Sequence, residues 1–318
     1  MSMLTMDQAV EEALFEEMER DSRVLTMGEG VVQAWARLRD NFGPKRVRNT
    51  PLSEGIIAGT AVGASAMGLR PVIDMLCAPF LLYAMEEIVN SAGKLRYLSG
   101  GQFSFPLVVI AGTGVAFSLG AQHSHNLEAW FAHAPGLKVV IPSSSAEAKG
   151  LLKAAIRDEN PVLFFRDFLL GRTPGEVPEG EHLIPLGKAA VAREGQSATI
   201  VTYGRMVLTS LEAAATLAEQ GLSVEVIDLR TIKPLDEETV LASVRKTGRL
   251  VVVHEASRSC GVGAEISATV AEKAFGALKA PILRLTGPDT PVPASPALEP
   301  FFAPAAPQIV QAVRQLVG

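Results

Sequence analysis

Two short stretches hold most of the side chains that could do chemistry. One is Thr50-Pro51-Leu52-Ser53-Glu54-Gly55 and the other Gly120-Ala121-Gln122-His123-Ser124-His125. Glu54 is the only charge between Arg48 and Arg70, which predicts a buried setting. A buried lone carboxylate is costly and tends to hold its proton unless a partner shares it, which suits acid–base work. A glutamate in a solvated first helical turn, favoured by the helix dipole, is the plainer reading. Spacing alone leaves both open. Histidine near neutral pH can act as acid, base or hydrogen-bond donor. The pair at 123 and 125 lacks a third ligand at recognisable spacing, so a zinc site ranks low; a loop histidine with no role is the alternative.

The elements that must position these residues read as alternating β and α. Apolar runs at 24–27, 71–75, 107–111, 137–142 and 162–165 have strand length, with helical patterns at 51–68, 81–98 and 145–158 between them. Near-continuous apolar strands alternating with helices predict a parallel sheet covered on both faces. Thr50 is the expected N-cap and Pro51 the first helical residue of the small-residue helix that follows. His123 comes just after the 107–111 strand, on the side where such sheets bind ligands. Residues 171–187, rich in Gly, Pro and Glu, read as a linker. Strands at 198–203, 224–229, 249–253 and 282–285 then alternate with helices at 207–220, 236–247 and 263–275. A last helix at 307–317 has Ile309, Val310, Val313, Leu316 and Val317 at helical spacing. The expected organisation is therefore two α/β domains, residues 1–178 and 179–318.

Other residues read as structural. Gly261-Val262-Gly263 opens a helix but lacks the third glycine and the downstream acid of a dinucleotide site, so helix packing explains it better. His133 looks structural, His182 lies in the linker, and His254 follows a strand of the second domain. The 318 residues are 48% hydrophobic and 20% charged, with a net charge of −5 and no block of like charge. That balance argues against a nucleic-acid or anionic-membrane surface. Cys77 and Cys260 sit in no metal or disulfide spacing. The first twenty residues are acidic and amphipathic, unlike a secretory or transit segment, and no apolar run is long enough for a membrane span. The expected compartment is the cytoplasm.

The runs TPLSEGIIAG, GLRP, KLRYLSGGQ, GAQHSHNLEAWFAHAPGLKVVIPS and AKGLLKAAIRDENPVLFF resemble the beta subunit of thiamine-diphosphate-dependent 2-oxoacid dehydrogenase decarboxylases. The pyruvate, branched-chain 2-oxoacid and acetoin enzymes share that subunit. VIDLRTIKPLD, TGRLVVVHEA and TGPDTPVP carry the resemblance through the second half, in order and over nearly the whole chain. It implies a pyrimidine-binding domain followed by a transketolase C-terminal-like domain.

The resemblance also implies roles. Glu54 matches the glutamate that hydrogen-bonds N1′ of the thiamine aminopyrimidine and favours the tautomer that removes the thiazolium C2 proton. Phe80 matches the aromatic stacked on that ring, and Leu76 the apolar wall beside it. His123 matches the histidine at the mouth of the substrate channel, which stabilises charge on the bound adduct and assists transfer to a lipoyl group. Glu29 matches an acid near the subunit interface, on a proton path between paired sites. The carbonyls of Leu107, Ala155, Ile156, Asp158 and Asn160 match a structural potassium site, whose all-oxygen ligation suits a hard cation.

Departures cluster around substrate and interface. His125 stands where the family usually has Gln or Asp. The stretch between Glu29 and Phe42 is shorter, and the loop before His123 reads GTGVAFSLGAQ. No Gly-Asp-Gly occurs anywhere, so the chain lacks the motif that holds the diphosphate through Mg²⁺. The resemblance therefore implies an alpha subunit that supplies it, in an α2β2 heterotetramer acting on a 2-oxoacid and on the lipoyl domains of an acyltransferase core. Acetoin cleavage is the close alternative. A single-chain transketolase is disfavoured by the missing motif, and a non-catalytic α/β partner by the presence of Glu54 and His123.

Overall fold

The computed structural model describes residues 1–318. It divides into two compact units, one of Met1–Thr113 with Trp130–Leu186, the other of Gly114–Ala129 with Gly187–Gly318. The segment carrying His123 thus clusters with the second unit.

The first unit opens on strand β1 (Ser2–Thr5) and helix α1 (Met6–Arg20). Thr5 and Gln8 form a reciprocal capping box at the start of α1, which satisfies two otherwise orphaned N–H groups. Its sheet is built from β2 (Val24–Gly28), β3 (Val47–Asn49), β4 (Arg70–Cys77), β5 (Val108–Thr113), β6 (Lys138–Val140) and β7 (Val162–Asp167). These lie in the order β6-β7-β5-β4-β2-β3, every neighbouring pair parallel. Parallel pairing brings all their C-terminal ends to one edge, where α/β sheets bind ligands. Helices α2 (Glu54–Ala66) and α3 (Ser145–Arg157) belong to the same unit. Val10, Leu14 and Met18 are the apolar stripe of the amphipathic α1 and are fully buried in one core cluster with Ala148, Leu151, Leu152 and Ala155 of α3.

Three local expectations are corrected. Helix α2 starts at Glu54 with Ser53 as N-cap, not at Thr50. The N–H of Thr50 donates to Gly28 O at 3.1 Å, so the chain leaves β3 still extended and turns into helix three residues later. The expected helix at 81–98 is a 3₁₀ turn (Ala78–Ala84), a π-helical segment (Glu86–Ala92) and one α-turn (Gly93–Leu98). Finally, the linker is not structureless: β8 (Pro174–Val177) pairs antiparallel with β1. Its four residues alternate poorly because it is one arm of a two-stranded ribbon at the unit's surface.

The second unit has β9 (Ala190–Arg193), β10 (Ala198–Thr202), β11 (Val224–Asp228), β12 (Leu250–Ser257) and β13 (Leu283–Gly287), in the order β13-β12-β10-β11-β9. All pairs are parallel except β11–β9. Helices α4 (Met206–Ala218), α5 (Glu237–Thr247), α6 (Val262–Ala274) and α7 (Ala306–Val317) accompany the sheet. Helix α5 carries both end signals: the Asp236 carboxylate accepts from Thr239 N, and Gly248 takes the left-handed closing position at φ 76°. Ile309, Val310, Val313 and Leu316 of α7 enter the core with Val224, Val226 and Val251, so the predicted final helix docks as read. The glycines at 261 and 263 serve packing. A Cβ at Gly263 would lie 2.8 Å from His254 Nε2, and one at Gly261 2.5 Å from Ser257 O. His254 lies within β12 rather than after it, and is fully buried.

Candidate active site

Gly28 stands opposite Asn49 on one side and Asp74 on the other, so β3 and β2 end level while β4 runs three residues further, to Cys77. The residues that follow, Glu29, Thr50 to Glu54, and Met75 to Phe80, therefore share the C-terminal edge of the first unit's sheet. Close approach there requires glycine. A Cβ on Gly28 would sit 2.4 Å from Asp74 O, and one on Gly112 would meet Leu76 O at 2.7 Å and the Phe168 ring at 2.2 Å.

Leu76 lies in a register irregularity of β4 between Asp74 and Cys77. Its φ is 59°, a left-handed conformation that residues with a Cβ rarely adopt. The Asp74 carboxylate holds this geometry by accepting the Leu76 N–H at 2.9 Å. The leucine side chain is 38% exposed, aimed outward from an otherwise buried strand. Phe80, in the 3₁₀ turn just beyond, is half-buried. Glu29 is half-buried in the turn after β2, before Gly30 at φ 66°.

Glu54 is the first helical residue of α2 and is half-buried. That lies between the buried setting and the solvated first turn that the sequence left open. Leu52 and Ile56, two residues to either side of it, are 64% and 71% exposed, so the apolar surroundings are present but open. The other face of α2 packs tightly: a Cβ at Gly55 would come within 3.2 Å of Tyr83 O and 3.4 Å of a Glu87 carboxylate oxygen.

Asp74 is a residue that sequence reading passed over. An acid inside the apolar run Pro71-Val72-Ile73-Asp74-Met75 was the available signal. Burial pushes its carboxyl above the usual range, while the positive charge of Arg166 pulls the other way. Arg166 in turn pairs with Asp7. Burial, together with the Asp74 charge, also raises the Cys77 thiol.

His123 and His125 lie on the loop 114–127, in the second unit, with His123 half-buried and His125 exposed. Ser124 between them is buried, and its hydroxyl has no hydrogen-bond partner. Ser124, His125 and Asn126 line a cavity of about 530 Å³ with Glu255, Asp289 and Phe302, all of the second unit. Beyond the loop, the buried Glu128 carboxylate accepts from Tyr203 OH at 2.7 Å. The Tyr203 ring stacks on His254, with centroids 6.0 Å apart. Burial raises Glu128 above the usual carboxylate range and lowers His254 to about 4, so His254 is neutral near pH 7. Neither Glu128 nor Tyr203 was singled out by sequence, and His254 was read only as following a strand. No group of three or more His, Cys, Asp or Glu side chains is placed to hold a metal ion.

The oxygens implied for a potassium ion lie around the C-terminal end of α3. Ile156 O and Asp158 O both accept from Arg70 Nη1, at 2.9 and 3.2 Å. Leu107 O accepts from Val162 N and Ala155 O from Asp158 N. A carbonyl oxygen has two lone pairs, so these bonds leave each able to face a hard cation.

The family models locate both halves. Residues 2–167 match the transketolase pyrimidine-binding domain and residues 187–309 the transketolase C-terminal domain. The chain is 46% identical over 328 residues to the beta subunit of acetoin:2,6-dichlorophenolindophenol oxidoreductase from Cupriavidus necator, covering 98% of this chain and 97% of that one. The chain belongs to the transketolase-like beta subunits of the 2-oxoacid and acetoin dehydrogenases. It is 43% identical to the 2-oxoisovalerate dehydrogenase beta subunit of Bacillus subtilis, covering 99% of both chains. It is 44% identical to the pyruvate dehydrogenase E1 component beta subunit of Rickettsia felis, covering 98% of both. Among solved structures, an inactive β4 tetramer of a split-gene transketolase matches 99% of this chain with a TM-score of 0.82 at 24% identity, a likeness of fold. The family is thiamine-diphosphate-dependent, and its members of this type are named as one subunit of a larger enzyme. No helix is long and apolar enough to cross a membrane.

Proposed function

We propose that this chain is the half of a thiamine-diphosphate-dependent decarboxylase that grips the cofactor's pyrimidine, and that it is active only with an alpha subunit in a cytoplasmic α2β2 assembly. The observation that carries this is the convergence of Glu54, Leu76 and Phe80 on one sheet edge, with Leu76 held outward in a left-handed conformation. Leu76 and Phe80 supply apolar surface for an aromatic ring, and Glu54 supplies a carboxyl at its edge that holds a proton toward N1′. Glu29, on the same edge, joins the proton path to a paired site.

When bound, thiamine diphosphate supplies the nucleophilic carbon for attack on a 2-oxo group. His123 stabilises negative charge on the substrate and moves a proton during transfer to a lipoyl group. Mg²⁺ and the diphosphate are held by the alpha subunit, because this chain has no Gly-Asp-Gly. A 2-oxoacid is the substrate class we favour, with a lipoyl-bearing acyltransferase core as partner. Acetoin is the second reading, supported by the 46% identity to an acetoin-oxidising beta subunit.

The test is direct. Alone, the chain should neither bind thiamine diphosphate tightly nor decarboxylate. With an alpha subunit and Mg²⁺ it should decarboxylate a member of a panel of pyruvate, 2-oxobutyrate, branched-chain 2-oxoacids and acetoin, using an artificial electron acceptor. Glu54→Ala should abolish turnover. Full activity of the isolated chain would overturn the half-site reading.

A further inference from the structure

The loop that carries His123 is held in an improbable shape. Gly114, Phe117, Ser118 and Gly120 all have positive φ, at 94°, 57°, 57° and 70°. Two of them, Phe117 and Ser118, are adjacent and carry a Cβ, so this backbone persists only if its surroundings over-determine it. Three acceptors do so. Asn126 Oδ1 takes the Gly114 N–H at 2.9 Å and closes the loop on itself. Glu299 Oε1 takes the Ser118 N–H at 2.7 Å. Glu255 Oε1 takes the Val115 N–H at 2.5 Å, a buried bond between residues 140 apart in sequence.

Glu255 stands out among these. It is 7% exposed, at the C-terminal end of β12, where the register with β13 shifts. Its second oxygen is paired with Arg205 at 2.7 Å, so the carboxylate is fixed from both sides. A charged acceptor makes a stronger bond to a backbone N–H than a neutral one. The residue it captures is itself anchored, since Val115 is buried with Val292 and Phe302 in a small apolar cluster of the second unit. Glu255 also lines the same cavity as Ser124 and His125.

We propose that Glu255 is a positioning residue for the His123 loop, with Arg205 orienting its carboxylate. It touches the backbone that bears the histidines and acts on the reaction through them. This rests on the reading of His123 given above.

The experiment has two arms. In the full chain, hydrogen exchange followed by mass spectrometry should show amides of residues 114–126 exchanging about tenfold faster in Glu255→Ala, while the core strands at 198–202 and 224–228 stay as protected as before. Glu255→Gln retains an oxygen for Val115 but loses the charge toward Arg205, and Arg205→Gln loses the orienting partner; both should give smaller rises at the same amides. These two carry the arm if Glu255→Ala fails to fold. No change, or a rise spread evenly over the second unit, overturns the proposal.

In the assembled enzyme, Glu255→Gln should lower kcat for lipoyl acylation by about tenfold with KM for the 2-oxoacid nearly unchanged, and should add almost nothing in a His123→Ala background. Fully additive losses would mean that Glu255 acts elsewhere. If His123→Ala leaves turnover intact, the functional reading fails instead, and the exchange data still decide the loop assignment.

Discussion

The Asp74 carboxylate accepts the N–H of Leu76 at 2.9 Å and keeps that leucine at φ 59°. Holding a left-handed leucine costs roughly 1–2 kcal/mol, so the conformation depends on its acceptor. Asp74→Ala removes that acceptor and leaves Arg166 with Asp7 alone. A loss of about 1–3 kcal/mol is expected, read by urea denaturation, because the Leu76 N–H loses its acceptor. Asp74→Asn keeps an oxygen for Leu76 and should cost less than Asp74→Ala. An alanine variant as stable as the parent would show that the leucine needs no such support.

Glu128 carries a pH signature of known sign. Burial raises its folded pKa above the usual 4.5, opposed in part by the Tyr203 hydrogen bond. The folded chain therefore keeps a proton that the unfolded chain has lost. That contribution is fully present below about 4.5 and falls away as pH rises through the raised value. Glu128→Gln, which still accepts from Tyr203, should flatten this part of the stability–pH curve. An unchanged slope in the variant would contradict the assignment.

Helices α1 and α3 share an ion network. Lys153 is almost fully buried between Glu16 and Glu181, at 2.6 and 2.9 Å, and Arg157 reaches Glu17 and Glu181, both at 2.6 Å. Glu17 is completely buried. Lys153→Met replaces a buried charge by an apolar chain of similar length, while Glu16 keeps Lys149 and Glu181 keeps Arg157. It should be nearly neutral, within about 1 kcal/mol, whereas Glu17→Ala removes the buried carboxylate that Arg157 and Arg20 share, leaves Arg157 with Glu181 alone, and should cost about 2–3 kcal/mol. Equal losses in thermal unfolding would refute this ordering.

Potassium provides a fourth measurement. If the carbonyls around the end of α3 hold a hard monovalent cation, Tm should rise in KCl relative to choline chloride at equal ionic strength, with Na⁺ weaker. Arg70→Lys, which loses the shared contact to Ile156 O and Asp158 O, should change the size of that rise. Identical melting in all three salts would remove potassium from the account.

Much of the architecture was legible in the sequence, for a definite reason. Buried parallel strands are written as continuous apolar runs, and helices as 3.6-residue stripes such as Val10, Leu14 and Met18 or Ile309, Val313 and Leu316. Helix ends with strong local chemistry, Asp236 and Gly248, follow the same rule. The start of α2 did not, because a hydrogen bond to Gly28, across the sheet, outweighed the Thr-Pro capping signal. The broken helix at 78–98 likewise answers to its neighbours rather than to its own periodicity.

By itself the sequence determined two α/β halves, the absence of a diphosphate-binding motif, and the small set of acids and histidines able to do chemistry, since all of these depend on residue type and local spacing. Only the tertiary structure decided how open Glu54 stands, that Leu76 is left-handed under Asp74, and that the His123 loop rests on Glu255. Those facts come from contacts between strand ends and from partners as far as 140 residues apart. Local pattern carries no record of such pairings, because they arise only when the sheet brings its edges together.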